Sequence, residues 1–309
     1  MPGARSRNRS LEEGCEVLEI QGLTRRFGDV TAVDGVSFAV PRGQLIGFVG
    51  GNGAGKTTTM RMIMGLLQIH AGEVLWEGRP ATTADRRRFG YMPEERGLYP
   101  KQGIADQLVY LARLHGMSRQ DAQRATAEHL DRFGLGERAK DKLESLSLGN
   151  QQRVQIAAAV MSRPQALILD EPFSGLDPTS VDTMVDLLRE HTRAGVPVLF
   201  SSHQLDLVDR LCDGMVVLSK GRVVAQGTAD ALRARGPQRH RIVLGGDAGW
   251  VRGLPGLHVV DVDGSSAVLE LVEAGADRTL LTEALARGPV VEFARVRPSL
   301  SEIYREVTA

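Results

Sequence analysis

The chain has 309 residues, with Lys plus Arg at 38 and Asp plus Glu at 38, so its formal net charge is zero. That length allows one large or two medium domains with a sizeable core, and the missing basic excess gives no support to wholesale nucleic-acid binding. No apolar run reaches the roughly 18–20 residues that span a bilayer, and two cysteines far apart in sequence, Cys15 and Cys212, fit a reduced cytosolic protein better than a disulfide scaffold or a metal site.

Residues 1–14 carry Arg5, Arg7 and Arg9 and few apolar side chains. Their composition suits a solvated, flexible basic tail over residues 1–15; an arm drawn to anionic lipid is the alternative. No basic start is followed by an apolar core, so no secretion signal is expected. Short strands are predicted at residues 17–20 and 36–40, punctuated by turn signals at Asp34-Gly35 and at Pro41-Arg42-Gly43. Phe27 falls between them in a polar turn, residues 25–29. An exposed ring there can stack on a nucleobase or pack at the periphery.

An apolar run at residues 45–49 leads into Gly50, Gly51, Asn52, Gly53, Ala54, Gly55, Lys56 and Thr57. These fit the spacing Gly, four residues, Gly, Lys, Ser/Thr. A helical face of Met60, Ile63, Met64 and Leu67 follows, and strand, glycine turn and helix in that order mark a phosphate-binding loop. Glycines let backbone N–H groups close round a polyphosphate, and the helix N-terminus adds positive potential. Lys56 can reach the β- and γ-phosphates, and the Thr57 hydroxyl can bind the Mg²⁺ that bridges them.

A further strand is predicted at residues 72–79. Arg86, Arg87 and Arg88 read as a solvated cationic patch, and residues 89–95 as a strand that ends at Pro93. Helical periodicity then takes over: Ile104, Leu108 and Leu111 share a face, and Ser118 with Asp121 suggests a capping box. A helical block of about residues 94–162 is thus inserted between two strands of a mostly parallel α/β core. Within it, Ser147, Leu148 and Gly149 precede a helix that Pro164 terminates. A hydroxyl, free N–H groups and the helix dipole there can bind an anion, or Ser147 can be a simple N-cap.

Residues 166–169 are apolar and end in Asp170 and Glu171. Open α/β sheets place their ligands at such carboxyl ends. Asp170 suits a Mg²⁺ shell, and Glu171 suits a general base for an attacking water. The turn Ser174-Gly175-Leu176-Asp177 follows, with Asp177 as N-cap and Pro178 at the first helical position. His203 stands just past the strand at residues 196–200 and faces the same crevice. Residues 215–226 read as a hairpin turning at Lys220-Gly221.

This fixed order of motifs resembles the ATP-binding subunit of an ATP-binding cassette (ABC) transporter, over about residues 17–226. The resemblance implies a P-loop NTPase core with an antiparallel β subdomain and an inserted helical subdomain. It implies Mg-dependent ATP hydrolysis with Glu171 as base, His203 as switch histidine and Lys56 on the phosphates. Phe27 would stack on adenine, and Lys56, Thr57 and Thr58 would hold phosphates and metal. Thr57, Asp170 and Glu94 form the implied metal set, and Asp177 joins the nucleotide set. Ser147, Leu148 and Gly149 belong to the signature stretch, which contacts the ATP held by an opposite subunit. The implied partners are a second ABC subunit, as a homodimer or paired chain, and an integral-membrane permease, at the cytoplasmic face of the membrane; no nucleic acid is expected.

Three positions depart from the family pattern. Gly51 replaces a usual Pro, the signature reads Leu-Ser-Leu-Gly-Asn, and Glu94 stands where Gln is usual, adding negative charge near the triphosphate. The alternative function is an ABC ATPase that moves no substrate, of the DNA-repair or ribosome-associated kind, but long heptads and a second cassette are both missing. A P-loop kinase or GTPase leaves the signature and His203 unexplained.

Residues 16–235 are therefore expected to form the ATP-binding domain and residues 236–309 a small α+β accessory domain, with Gly236-Pro237 at the boundary. Strands are predicted at 241–244, 257–262, 267–271 and 290–296, and helices at 277–286 and 298–307, in a ferredoxin-like order. The closing Pro-Ser-Leu-Ser-Glu-Ile-Tyr resembles the tail of ABC proteins that serve multidrug, antibiotic or sodium exporters. Such a domain can stabilise a dimer or regulate it.

Overall fold

The computed structural model describes residues 16–95, 97–235, 239–296 and 302–304. The basic tail, Cys15, the Gly236-Pro237 boundary and all but residues 302–304 of the last expected helix lie outside the described residues. The chain divides into two compact units between Ala229 and Asp230.

The first unit opens with β1 (Glu16–Phe27) and β2 (Val30–Pro41), twelve residues each and far longer than the runs predicted. They pair antiparallel from Glu16 opposite Pro41 to Phe27 opposite Val30, with register shifts along the way. Gly22 and Gly35, at φ +59° and +65°, lie at these irregularities. The Asp34-Gly35 turn signal is thus a bulge inside a long ribbon, matched by Gly22 on the facing strand. Phe27 ends β1 rather than sitting in a turn.

β3 (Leu45–Val49) is buried throughout and feeds the glycine loop and α1 (Lys56–Ile63). The apolar face to Leu67 predicts a longer helix. It stops because Gly65 takes φ +70° and the N–H groups of Leu66 and Leu67 fold back to the Arg61 carbonyl, a helix-ending arrangement. The strand predicted at 72–79 is a hairpin, β4 (Ala71–Trp76) and β5 (Arg79–Pro80), turned by Glu77 and Gly78 at positive φ.

The short α2 (Thr83–Arg86) precedes β6 (Phe89–Met92). Here the cationic patch needs correcting. Arg86 donates to the carbonyls of Ile63 and Ala81 at 2.8 and 2.7 Å, and Arg88 pairs with the buried Asp85, which also holds Arg79. Of the three, Arg86 alone departs from the solvated reading and ties α2 to its neighbours; Arg87 is exposed, and Arg88, though paired with Asp85, keeps 51% of its side chain in solvent. Paired with Arg79 and hydrogen-bonded by Thr82, the Asp85 carboxyl is held well below the usual carboxylate range.

Three helices follow before the next strand: α3 (Ile104–Leu114), α4 (Arg119–Arg132) and α5 (Leu148–Val160). Ser118 caps α4 by accepting the Asp121 N–H. The core resumes with β7 (Ala166–Leu169), α6 (Pro178–Arg193), β8 (Val198–Ser202), α7 (Leu205–Leu211), β9 (Gly214–Ser219) and β10 (Arg222–Gly227). Lys220 and Gly221 both take positive φ at the β9–β10 turn, as a tight hairpin requires.

Two sheets result in this unit. One is antiparallel, in the order β2-β1-β4-β5; the other runs β10-β9-β3-β8-β7-β6, parallel except for β10. A single apolar cluster joins the two, with Phe38 on Phe48 and Trp76 on Phe89 at ring separations of 5.1 and 4.8 Å. β3 and β7 both flank β8. Their carboxyl ends therefore bring the glycine loop, Asp170 and His203 to one edge.

α8 (Ala229–Arg235) leads to the second unit: β11 (Arg239–Leu244), β12 (Leu257–Asp263), β13 (Ser266–Leu271), α9 (Ala276–Arg287) and β14 (Val290–Val296). All pairs are antiparallel, in the order β12-β13-β11-β14. This is the ferredoxin-like strand order, with a 3-10 turn at Gly249–Gly253 where a first helix would stand. Ile242, Leu269, Leu280 and Val251 anchor its own core.

Candidate functional site

The glycine loop is held by its surroundings. A Cβ on Gly50 would lie 2.6 Å from the Leu218 carbonyl, and one on Gly55 would lie 2.7 Å from the Ala32 carbonyl. Gly55, at φ +103°, also caps α1. Gly51, Asn52 and Gly53 are exposed, Ala54 is buried and Thr58 is half-buried. Lys56 is 8% exposed and donates to the Gly50 carbonyl at 2.7 Å. Its Nζ is also 3.7 Å from Glu171 Oε1.

Asp170 is fully buried. Its Oδ1 accepts from Ser201 Oγ at 2.6 Å, while its Oδ2 has no hydrogen-bond partner among the described residues. Ser201 Oγ accepts in turn from the Glu171 N–H at 2.8 Å. Glu171 takes φ +50°, a sparsely populated conformation for a non-glycine residue and one that clusters at functional sites. Its carboxylate lies between Lys56 on one side and His203 Nδ1, at 3.0 Å, on the other. Thr57 Oγ1 donates to Glu94 Oε2 at 3.3 Å. Lys56, Thr57, Glu94, Asp170, Glu171 and His203 thus form one constellation at the sheet edge.

The orphaned Asp170 Oδ2 tests the fit of a divalent cation. A buried acceptor without a partner is costly, and a hard cation or its water satisfies it. Among the described residues no three His, Cys, Asp or Glu side chains converge as a closed metal cage. Thr57, Asp170 and Glu94 instead offer the sparse oxygen set with which Mg²⁺ shares a phosphate.

A second group assembles around the start of α5. Ser147 caps that helix, with its Oγ 3.4 Å from the Asn150 N, and Leu148 is 53% exposed. Gly149 and Gly175 approach closely: a Cβ on Gly149 would be 3.0 Å from the Gly175 carbonyl, and one on Gly175 would be 3.0 Å from the Leu148 side chain. Asp177 caps α6 by accepting the Ser180 N–H at 3.0 Å and pairs with Arg153 at 3.2 Å. The Ser180 hydroxyl also bonds that carboxylate, and these bonds lower its pKa. Phe27 stands in a third place. It is 47% exposed, and the Arg25 guanidinium lies 4.8 Å over one face of its ring.

Two residues escaped the sequence reading. Ser201 bridges Asp170 to Glu171, and Gln152 on α5 donates to the Glu171 and Pro172 carbonyls at 2.9 and 3.1 Å. A Ser-Ser-His run at a strand end was the visible signal for the first; Gln152 had none.

The ABC transporter family model matches residues 33–174, and the model for the ATP-binding protein DrrA1-3-like, C-terminal domain matches residues 227–308. YhaQ of Bacillus subtilis (strain 168), an uncharacterized ABC transporter ATP-binding protein, is 39% identical over 94% of this chain and 98% of its own length. This chain belongs to the ABC transporter ATP-binding proteins. The daunorubicin resistance ATP-binding protein DrrA3 of Streptomyces coeruleorubidus is 33% identical to this ABC subunit, over 94% of this chain and 95% of its own. A solved ATP-binding subunit of an ABC transporter superposes with a TM-score of 0.66 at 33% identity, covering 71% of this chain and 92% of that one. The first unit is accordingly a P-loop NTPase of the ABC type, a domain that hydrolyses ATP, and such subunits work with membrane permeases. Among the described residues, no helix of this ABC subunit is long and apolar enough to cross a membrane.

Proposed function

We propose that this chain is the Mg-dependent ATPase of an exporter, closing with a second copy around two ATP molecules at the cytoplasmic face of the membrane. The observation that carries the reading is Glu171, held in a strained conformation between Lys56 and His203 and beside the orphaned Asp170 Oδ2.

The glycine-loop N–H groups and Lys56 hold the β- and γ-phosphates, and Lys56 leaves the Gly50 carbonyl to do so. Phe27 offers adenine the ring face that Arg25 does not cover. Thr57, Asp170 and Glu94 hold Mg²⁺, which offsets phosphate charge when bound. Glu171 takes a proton from the water that attacks the γ-phosphorus; the bond to the bridging oxygen breaks, giving ADP and phosphate. His203 holds the carboxylate in place.

One glycine loop covers one side of a triphosphate. The exposed Ser147–Gly149 start of α5, with its N–H groups and dipole, supplies the other side for the partner's ATP. In this reading residues 16–235 bind ATP, with residues 94–162 as the helical part, and residues 236–309 form the accessory domain; the compact units themselves divide earlier, between Ala229 and Asp230. Export is supported by the match of that second domain to the DrrA1-3-like model and by the drug-resistance name of the DrrA3 relative.

Glu171→Gln tests the reading. The variant keeps ATP binding, loses turnover at least a hundredfold, and elutes as a dimer with ATP on a sizing column. Full turnover in the variant, or parental turnover at dilutions where no dimer forms, refutes it.

A further inference from the structure

Two buried polar atoms at the sheet edge lack partners, and they rise from neighbouring strands. Asp170 Oδ2 is one. The Tyr91 hydroxyl is the other; it too is buried and without a hydrogen bond among the described residues. β6 and β7 are parallel neighbours with Tyr91 opposite Ile168, two residues before Asp170, and the Asp170 N–H donates to the Met92 carbonyl at 2.8 Å.

The surroundings of Tyr91 are those of the site. Burial raises its pKa first and the Asp170 carboxylate raises it further; the Arg61 guanidinium pulls it back down, and Glu94 adds a smaller upward push. The Arg61 guanidinium stands close enough to offer the hydroxyl a weak hydrogen bond, short of full hydrogen-bond geometry. Arg61 lies one turn along α1 from Thr57, whose hydroxyl already reaches Glu94. Phenylalanine would fill the same space on β6 without an unsatisfied hydroxyl. A tyrosine there carries a proton that the protein does not use and an oxygen that Arg61 meets only weakly, leaving a lone pair open.

We infer that Tyr91 is a positioning residue of the divalent-cation site, its hydroxyl holding, together with Asp170 Oδ2, a water of the cation's hydration shell. The chemistry matches. Mg²⁺ keeps several of its waters in such sites. A water bound to a cation has two hydrogens to give, and Asp170 Oδ2 and the tyrosine oxygen are the two free acceptors. The tyrosine proton is then available to the Glu94 carboxylate. The inference rests on the metal set proposed above, and it adds a residue that touches neither nucleotide nor metal.

The test is Mn²⁺ binding, followed by electron paramagnetic resonance on the full chain with a non-hydrolysable ATP analogue. Tyr91→Phe is expected to weaken Mn²⁺ about five-fold, the scale of one ordinary hydrogen bond. Affinity for the analogue in chelator stays within twofold of the parent, and the melting temperature does not fall, since no protein partner is lost. Mn²⁺ affinity within twofold of the parent, with Asp170→Asn weakening it tenfold or more, overturns the role of Tyr91 and leaves the metal set standing. Unchanged Mn²⁺ affinity in Asp170→Asn overturns both.

Discussion

Glu171 Oε2 lies 3.0 Å from His203 Nδ1, and His203 keeps 54% of its side chain open to solvent. The pair joins the proposed base, fixed by the end of β7, to a side chain at the end of β8. His203→Ala should therefore act on chemistry and little on binding. The expected result is a kcat at least tenfold lower, with nucleotide affinity within about twofold of the parent. Single-turnover kinetics with a fluorescent ATP analogue separate the two; a loss confined to affinity refutes the assignment.

Ser201 is fully buried, donates to Asp170 Oδ1 and accepts from the Glu171 N–H. Ser201→Ala deprives a buried carboxylate and a part-buried N–H at once. Loss of buried partners costs about 1–3 kcal/mol each, so the denaturation midpoint should drop measurably. Turnover should drop as well, because Glu171 loses the bond that fixes its backbone. Parental stability in urea would show that water replaces the hydroxyl.

The contrast between these residues explains what was legible in the sequence. The glycine loop, Asp170-Glu171 and the Ser147 cap each fall within a short local pattern, so spacing alone marks them, even though Lys56, Asp170 and Glu171 find partners distant in the chain. Ser201 acts on groups thirty and thirty-one positions away, and only strand order brings them together. Arg86 reads as solvated because a run of charges carries no mark of the carbonyls of Ile63 and Ala81 that it binds. Gly35 misled for a related reason. A positive φ serves a bulge as well as a turn, and the pairing partner decides which.

Glu94, at the position where the family resemblance leads one to expect glutamine, meets Thr57 at 3.3 Å. A carboxylate there attracts a divalent cation and repels a triphosphate. Glu94→Gln is expected to weaken Mg²⁺ binding and, in chelator, to tighten metal-free ATP. Titrations of the same variant with and without Mg²⁺ read the two effects. Movement of both affinities in one direction would mean that Glu94 acts through loop folding instead.

His129 on α4 is half-buried, and burial lowers its pKa from the ordinary histidine value of 6.5; the nearby Arg132 and His191 push the same way, against Glu128 and Glu190. The folded form therefore binds fewer protons there than the unfolded chain. Stability from this group is complete above about pH 6.5, where both states are neutral, and is lost as pH falls and only the unfolded histidine charges. Glu190 does not mask the effect. Its hydrogen bonds with Arg132 hold its pKa below the usual carboxylate value, so it stays ionised throughout. Urea denaturation between pH 7 and pH 5 should show the parent losing stability as acid is added. His129→Gln, which cannot charge, should give a flatter profile, and equal slopes for the two would exclude His129 as the source.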